Sequence, residues 1–139
     1  MIGLDTNILA RYYIQDETDA EAAGQRAAAR ALVESGQPLM VCKTVVLELE
    51  WVMRGYYRFE PQQVAAVLRH LLSLPQVTIE DREAVALAVS ASDAGLAFTD
   101  ALHHASYRDC KSMASFDDRK FARRAKRLGL APAVIVPRR

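Results

Sequence analysis

The sequence is poor in several features, and each absence excludes a class of protein. Its 139 residues include two cysteines, Cys42 and Cys110, too few for a disulfide-built scaffold, so we expect buried thiols in a reducing compartment. No apolar run approaches the length of a membrane span, and the first residues lack the pattern of a secretory leader. These absences predict a cytoplasmic protein that does not enter a membrane.

The sequence also lacks an excess of one charge. Eighteen Lys and Arg residues stand against 17 Asp and Glu residues, giving a formal net charge of +1, which identifies no class of partner. Hydrophobic residues make up 51% of the chain, which is enough to build a core and excludes a disordered protein. At this length we expect a single domain that covers residues 1–139.

Short apolar runs alternate with helical patterns along the chain. The predicted strands are 1–4, 38–42, 75–79, 112–116 and 133–136. Helices are predicted between them, with N-caps at Thr18 (in a capping box with Glu21), Thr44, Thr99 and Asp118, and with ends at Gly36, Gly55 and Gly129. This alternation predicts an α/β fold, a three-layer α/β/α sandwich on a mainly parallel sheet.

Asp5 follows the first predicted strand, at the sheet edge where α/β proteins bind their ligands. Thr6 and Asn7 are expected to cap the helix that follows, and Arg11 in that helix is expected to face solvent. An alternative is that Asp5, Thr6 and Asn7 only form a cap and turn. The role of Asp5 therefore depends on the other acids of the chain.

Glu48 lies on the predicted helix 44–54, which also carries Glu50. Glu50 precedes Arg54 by four residues, the spacing of a surface ion pair. Glu48 has mainly apolar neighbours one turn away, so we expect it to turn inward. An unpaired buried carboxylate costs about 2–7 kcal/mol or more unless a cation meets it, which makes Glu48 a candidate site residue.

Two further acids lie in the C-terminal part of the sequence. Asp100 falls in the first turn of a helix, where the helix dipole favours a negative charge. Asp117 ends the predicted strand 112–116, and Asp118, the adjacent alternative, is expected to cap the next helix. His103 and His104 have no further His or Cys at ligand spacing, so we exclude a zinc site.

The segment after Asp117 is rich in cations, with six Lys and Arg residues among residues 119–127. They include Arg119, Lys120 and Arg123, which lie on the opposite side of a predicted helix from its apolar face. Such a face can bind phosphate or serve only solubility, and the sequence leaves both interpretations open.

In a parallel α/β sheet, Asp5, Glu48, Asp100 and Asp117 are expected to converge. Clustered carboxylates without a lysine partner require a cation, and all-oxygen ligands select a hard ion such as Mg²⁺ or Mn²⁺. Such a site activates water for attack on a phosphodiester, and the basic helix would hold the flanking phosphates.

Four motifs together resemble the acidic motifs of the PIN domain, and more narrowly the VapC toxins of bacterial type II toxin–antitoxin modules. They are the segments 5–7 (DTN), 46–52 (VLELEWV), 99–103 (TDALH) and 115–117 (SFD). The resemblance implies a PIN-like fold, a Mg²⁺- or Mn²⁺-dependent endoribonuclease, a homodimer and a cognate VapB-type antitoxin. It also implies roles for individual residues: Asp5, Asp100 and Asp117 as metal ligands, Glu48 as a ligand directly or through water, and Thr6, Asn7 and Ser115 as supports.

The sequence departs from this family pattern at Ala97, where many relatives carry a further acid, so one or two metal ions remain possible. Two other functions are compatible with parts of the pattern. A non-catalytic PIN-like module would bind RNA or protein through the basic face. A phosphotransferase would use Asp5 as nucleophile, but Asn7 stands where its second acid is expected.

Overall fold

The computed structural model describes residues 1–139 and divides into two compact units, each treated by itself. The N-terminal unit is Met1–Arg82, and the C-terminal unit is Glu83–Arg139. No helix in either unit is long and apolar enough to cross a membrane.

The N-terminal unit contains a three-stranded parallel sheet in the order β1-β2-β3. Its strands are β1 (Ile2–Gly3), β2 (Leu39–Val41) and β3 (Val77–Ile79). Leu39 pairs with Ile2 on one side and with Val77 on the other. The three predicted strands are confirmed, each shorter than the apolar run that predicted it.

Four α-helices and one π-helical turn accompany this sheet. They are α1 (Thr6–Tyr13), α2 (Ala22–Val33), α3 (Lys43–Trp51), the π-helical turn Val52–Tyr56 and α4 (Pro61–Ser73). The core combines strand and helix residues, among them Leu9, Val33, Leu39, Val41, Val46, Leu49, Met53, Leu68 and Leu71. Apolar helix faces thus pack with the sheet, as the alternating pattern predicted.

The predicted capping box of α2 is wrong. The Thr18 amide donates to Asp16 Oδ1 at 2.9 Å, and the Glu21 amide donates to Asp19 Oδ1 at 2.9 Å. Two nearby carboxylates therefore take the donors that the capping box would have used, and α2 begins only at Ala22. Gly36 follows this helix with φ 82°, as expected for a residue that ends a helix.

The predicted limits of α3 are also wrong. Cys42, not Thr44, is the N-cap, and the Thr44 hydroxyl lies 3.2 Å from Cys42 Sγ. Gly55 does not end the helix, because the chain continues through the π-helical turn, in which the Tyr57 amide donates to the Val52 carbonyl at 3.0 Å. α4 starts at Pro61 as predicted.

The C-terminal unit contains a second parallel sheet of two strands, β4 (Ser112–Ala114) and β5 (Ala133–Ile135), with Ser112 opposite Ala133. Its helical segments are α5 (Arg82–Asp93, which starts at the unit boundary), α6 (Phe98–Ser106), the π-helical turn Asp118–Ala122 and α7 (Arg123–Arg127). Every strand pair of the protein is parallel, which confirms the predicted α/β class.

Two predicted caps of this unit are wrong. Ala97, not Thr99, is the N-cap of α6, and Asp117, not Asp118, is the N-cap of the π-helical turn. The expectation of buried thiols also fails, because Cys42 is half-buried and Cys110 is exposed. His104 is buried, with its Nε2 2.7 Å from the Pro132 carbonyl oxygen, which gives it a structural place in the core.

Candidate functional site

Asp5 stands just beyond β1, between the buried Leu4 and the buried Thr6. It is the N-cap of α1, and its Oδ1 accepts the Thr6 amide at 2.8 Å. The capping role expected of Thr6 and Asn7 therefore falls to Asp5, which stays exposed. One carboxylate oxygen is used in the cap, and Oδ2 has no protein partner.

Thr6 is 6% exposed, and its buried hydroxyl has no hydrogen-bond partner. An orphaned buried hydroxyl is rare in folded proteins, and a bound water molecule or ion is a group that can satisfy it. Asn7 follows it as an exposed residue of α1. Thr6 and Asn7 line the same cavity as Asp5.

Glu48 is exposed, so the prediction that it turns into the core is wrong. The buried stripe of α3 is Val46, Leu49 and Glu50, and Met53 of the π-helical turn continues it. Glu50 is the buried acid, 4% exposed, and Arg54 Nε donates to its Oε2 at 2.7 Å. The ion pair predicted for Glu50 is confirmed, but its carboxylate is buried.

A cavity of about 440 Å³ in the N-terminal unit brings Asp5 and Glu48 together; we call it the acidic cavity. Its lining includes the carboxylates Asp5, Asp16, Asp19 and Glu48, together with Asn7 and Arg11. Two of the four predicted acids thus share one opening, with Glu48 at an exposed position rather than a buried one.

The prediction that Arg11 faces solvent is wrong. Its Nη2 donates to Asp19 Oδ2 at 2.6 Å, its Nε donates to Gln25 Oε1 at 2.8 Å, and its Nη1 lies 4.0 Å from Asp16 Oδ2. Arg11 therefore pairs with both Asp16 and Asp19, although its single positive charge balances only one of them, whereas Asp5 and Glu48 form no ion pair. Asp5 and Glu48 thus add to a net negative charge in the acidic cavity.

Sequence reasoning missed several residues of this cavity. Besides Asp16 and Asp19 these are the aromatic residues Trp51, Tyr56 and Tyr57. Asp16 accepts hydrogen bonds from the Thr18 side chain and from Tyr57, which hold the pKa of Asp16 below its ordinary value. The available signal is the close spacing of acids after α1, a segment in which Thr18 and Glu21 were expected to form a capping box.

Asp100 and Asp117 belong to the C-terminal unit. Asp100 is half-buried in the first turn of α6. Its burial, with the negative charge of Asp117, raises the pKa of Asp100 above its ordinary value, and His103 only partly opposes this effect. Two further predicted acids are therefore close enough to repel one another.

Asp117 is exposed, lies three residues beyond the end of β4, and caps the following turn. Its Oδ1 accepts the Lys120 amide at 3.0 Å, and its own amide donates to Ser115 Oγ at 3.1 Å. Asp118, by contrast, is paired with Arg123, whose Nη2 lies 2.7 Å from its Oδ2. Of the two adjacent acids, Asp117 is the one without a cationic side chain.

The basic segment has the predicted two faces. Phe121, Ala122 and Ala125 are buried, whereas the side chains of Arg119 and Lys120 are exposed. Arg123 is exposed as well, but its guanidinium is engaged by Asp118. Arg119 and Lys120 are therefore the cations of this predicted set that are free to meet an anionic ligand.

The chemistry of the donor set fits a hard divalent ion. Asp5 with Glu48 and Asp100 with Asp117 are all-oxygen pairs without a cationic side chain, and Thr6 adds an orphaned hydroxyl beside Asp5. Within either unit, no three His, Cys, Asp or Glu side chains are grouped so that they could hold a metal ion. Each unit thus holds one of these pairs of carboxylates.

The comparisons with known proteins bear on this set of acids. A search of curated proteins finds no match for the chain. The family model described as PIN domain matches residues 2–127, a range that includes all four acids. Because that match covers far more than half of the sequence, the chain belongs to the PIN domain family.

Proposed function

We propose that the protein is a Mg²⁺- or Mn²⁺-dependent endoribonuclease and the toxin of a type II toxin–antitoxin module. PIN domains are generally nucleases, which are hydrolases, and this provides the coarse assignment. The observation that carries the proposal is the Asp100–Asp117 pair, in which burial and a like charge raise the pKa of Asp100. Carboxylates held in this way either take up a proton or are balanced by a bound cation.

The four acids have separate roles in this proposal. Asp5, Asp100 and Asp117 are the proposed metal ligands, and Glu48 acts as a ligand directly or through water. When bound, Mg²⁺ or Mn²⁺ supplies acidification of a water molecule and stabilisation of the charge that develops on phosphorus oxygens. Ala97 stands where many relatives carry a further acid, so the third motif has one acid fewer. Whether the remaining acids can hold a second ion decides between one ion and two.

Neighbouring groups keep these carboxylates oriented. The Thr6 amide fixes Asp5 Oδ1, which leaves Oδ2 directed to other partners. The Ser115 hydroxyl accepts the Asp117 amide and so fixes the backbone on which that carboxylate stands. Asn7, exposed in the acidic cavity, supplies an amide that can donate to a phosphate or ribose oxygen.

RNA is the proposed substrate because the four motifs resemble the VapC toxins, and the cations that follow directly after Asp117 support a polyanionic ligand. Arg119 and Lys120 are exposed and lie in the turn that Asp117 caps. Exposed Arg and Lys bind phosphates and release condensed counterions, which draws a polyanion to the segment that carries an acid of the site. Arg123 is a weaker candidate because Asp118 engages it.

The toxin role and its partners rest on the resemblance of the four motifs to the VapC toxins. On that basis the proposed partners are a cognate VapB-type antitoxin and a second copy of the chain. A toxin assignment also predicts that expression of the protein alone arrests growth and that the antitoxin restores it.

The experiment that tests the proposed function is RNA cleavage by purified protein with Mg²⁺, Mn²⁺ or EDTA. We expect cleavage with either ion, none with EDTA and none for Asp5→Asn. Asp93→Asn is the matched control, because it removes the same charge from the end of α5, at a position outside the four acidic motifs of the sequence. Equal EDTA-resistant cleavage by wild type and Asp5→Asn would falsify the proposal.

The same purified wild-type and Asp5→Asn proteins distinguish a nuclease from a non-catalytic RNA- or protein-binding module. Such a module would bind RNA without regard to metal or to Asp5→Asn, and its binding would fall steeply with salt. The combination of intact RNA and metal-independent binding would establish that alternative.

A further inference from the structure

An exposed tryptophan and an exposed tyrosine border the acidic cavity, beside Asp5 and Glu48. Trp51 is 55% exposed and Tyr56 is 68% exposed, and both line this cavity. Single exposed apolar residues are common on protein surfaces and by themselves carry no meaning. Here, however, two large aromatic rings share one opening with unbalanced carboxylates, and each ring is held in place.

Gly55 holds the Trp51 ring. A Cβ atom at Gly55 would lie 3.2 Å from both Cε2 and Nε1 of the indole, so the ring packs directly against the backbone at this position. The π-helical turn, closed by the hydrogen bond from the Tyr57 amide to the Val52 carbonyl, carries Gly55. Turns of this kind are frequent at functional sites.

Tyr56 is held through its neighbour. The rings of Tyr56 and Tyr57 meet edge to face, with centroids 4.8 Å apart and an interplanar angle of 75°. The Tyr57 hydroxyl in turn donates to Asp16 Oδ2 at 2.7 Å. An exposed ring thus rests on an anchored one, which limits the conformational entropy that a ligand must remove on binding.

We propose that Trp51 and Tyr56 form a stacking surface for an unpaired base of the RNA substrate. This proposal rests on the proposed function and names the substrate class of the same site. Exposed aromatic rings bind bases of any sequence through their π-faces. The opening of about 440 Å³ lies within the range of cavities that bind small ligands, as a single nucleotide requires.

The surroundings of the two rings favour a nucleotide over an apolar segment of a protein partner. Most residues that line the acidic cavity are polar or charged, including Asn7, Arg11 and Tyr57. A protein-docking surface would join the rings through further apolar side chains. A base offers both a π-face and hydrogen-bonding edges, which matches a cavity lined by aromatic rings and polar groups.

The stacking surface sets a condition on the substrate. Bases inside a duplex are already stacked and paired, so they are not available to Trp51 and Tyr56. The enzyme should therefore act on RNA loops and single strands and leave the interior of duplexes intact.

Trp51 is the sole tryptophan of the chain, so its fluorescence reports directly on this surface. The experiment titrates Asp5→Asn protein in Mg²⁺ with octauridylate, with an abasic octamer of equal phosphate number, and with a uridine-containing duplex. We expect octauridylate to quench the emission of Trp51 and to bind at least about 5-fold more tightly than the abasic octamer. The duplex should not quench it.

Variants of Trp51 test the role of its ring. Their Kd for labelled octauridylate is measured by fluorescence anisotropy. Trp51→Leu should raise Kd about 5- to 150-fold, whereas Trp51→Phe, which keeps a ring, should retain most of the affinity. Gly55→Ala should also raise Kd, because the added Cβ displaces the indole. Tyr107→Leu is the matched control, since Tyr107 is 48% exposed and does not line the cavity.

The outcomes separate this proposal from the nuclease proposal. Base-dependent quenching without any metal-dependent cleavage supports the stacking surface and rejects the nuclease. Metal-dependent cleavage with unchanged binding and cleavage by Trp51→Leu keeps the nuclease and overturns the stacking surface. Equal quenching by octauridylate and the abasic octamer also overturns it.

Discussion

The Tyr57 hydroxyl donates to Asp16 Oδ2 at 2.7 Å and thereby joins two segments that are 41 residues apart in sequence. Asp16 follows α1, and Tyr57 follows the π-helical turn, so the hydrogen bond links the two sides of the acidic cavity. Asp16 also accepts from the side chain and the amide of Thr18. One carboxylate thus organises the wall of the cavity that bears the Tyr56 ring.

Asp16 should make stability depend on acid pH. Hydrogen bonds from Thr18 and Tyr57 lower the pKa of Asp16 in the folded protein, so its contribution is present above the unfolded pKa of about 3.9. That contribution is lost as the pH falls through the lower folded value. We therefore expect the stability difference between wild type and Asp16→Asn to stay nearly constant from about pH 6 to about pH 4 and to shrink as the pH falls further, as measured by thermal unfolding.

Tyr57→Phe is the companion variant, because it removes the donor and keeps the ring. Its Tm should fall at pH 6 and approach that of wild type at low pH. A Tm difference that stays constant over this pH range would show that the hydrogen bond does not act through the charge of Asp16.

The buried ion pair of Glu50 gives a second prediction. Arg54→Leu leaves a carboxylate that is 4% exposed without its cation, so we expect a loss of about 1–3 kcal/mol in the free energy of unfolding. Replacing both residues by leucine should recover most of that loss, because no unpaired charge remains. Urea denaturation of the single and double variants measures both values, and a double variant no more stable than Arg54→Leu contradicts the explanation.

The strands and several helix ends could be predicted because their signals are local. The five strands lie within the predicted apolar runs, and Gly36 and Gly129 adopt positive φ values of 82° and 69° at helix ends. The caps were less predictable because acceptors compete for the same donor. Asp16 accepts the Thr18 amide, which the predicted capping box would have directed to Glu21, and no spacing rule within the helix could show this.

The acids of the candidate site show the same limit. The buried face of α3 and the π-helical turn is Val46, Leu49, Glu50 and Met53, a regular helical spacing in which an acid occupies one position. Sequence reasoning instead gave the inward position to Glu48. Hydrophobicity could not identify Glu50 as buried, because its burial depends on the cation of Arg54. Convergence of all four acids stays a prediction.

Thr6 offers a test that separates stability from function. Its hydroxyl is buried without a partner, so Thr6→Val should raise the free energy of unfolding by about 1 kcal/mol. If the hydroxyl serves the proposed metal site, RNA cleavage should fall about 10-fold in the same variant. Thr6→Ser, which keeps the hydroxyl, should retain cleavage. A less stable Thr6→Val protein would indicate that the hydroxyl has a partner within the fold.

The adjacent acids Asp117 and Asp118 should differ in function. Asp118 is paired with Arg123, whereas Asp117 contributes to the raised pKa of Asp100. We expect Asp117→Asn to lower metal-dependent RNA cleavage at least about 100-fold. Loss of an outer-sphere partner costs up to about 100-fold, and the loss of a direct ligand should cost at least as much. Asp118→Asn should stay within about 10-fold of wild type, since it disturbs only that ion pair. The opposite order in single-turnover assays would assign the fourth acid to Asp118.

The basic segment after Asp117 should account for part of the salt dependence of RNA binding. Each phosphate contact on a single strand contributes about −0.7 to the slope of log K against log salt concentration. Arg119→Ala and Lys120→Ala should each reduce the magnitude of that slope by about 0.7, because both side chains are exposed and available. Arg123→Ala should change it less, because Asp118 already engages that guanidinium.

The measurement is the anisotropy of a labelled single-stranded RNA between 50 and 200 mM salt, on the order of the range over which such contacts are lost. Arg30→Ala is the control, since it removes the same formal charge from α2, where Arg30 pairs with Glu34 at 3.2 Å. If Arg30→Ala lowers the slope as much as Arg119→Ala, the effect comes from net charge rather than from contacts at this segment. If none of the variants changes the slope, the basic face serves solubility, and the phosphates are bound elsewhere on the chain.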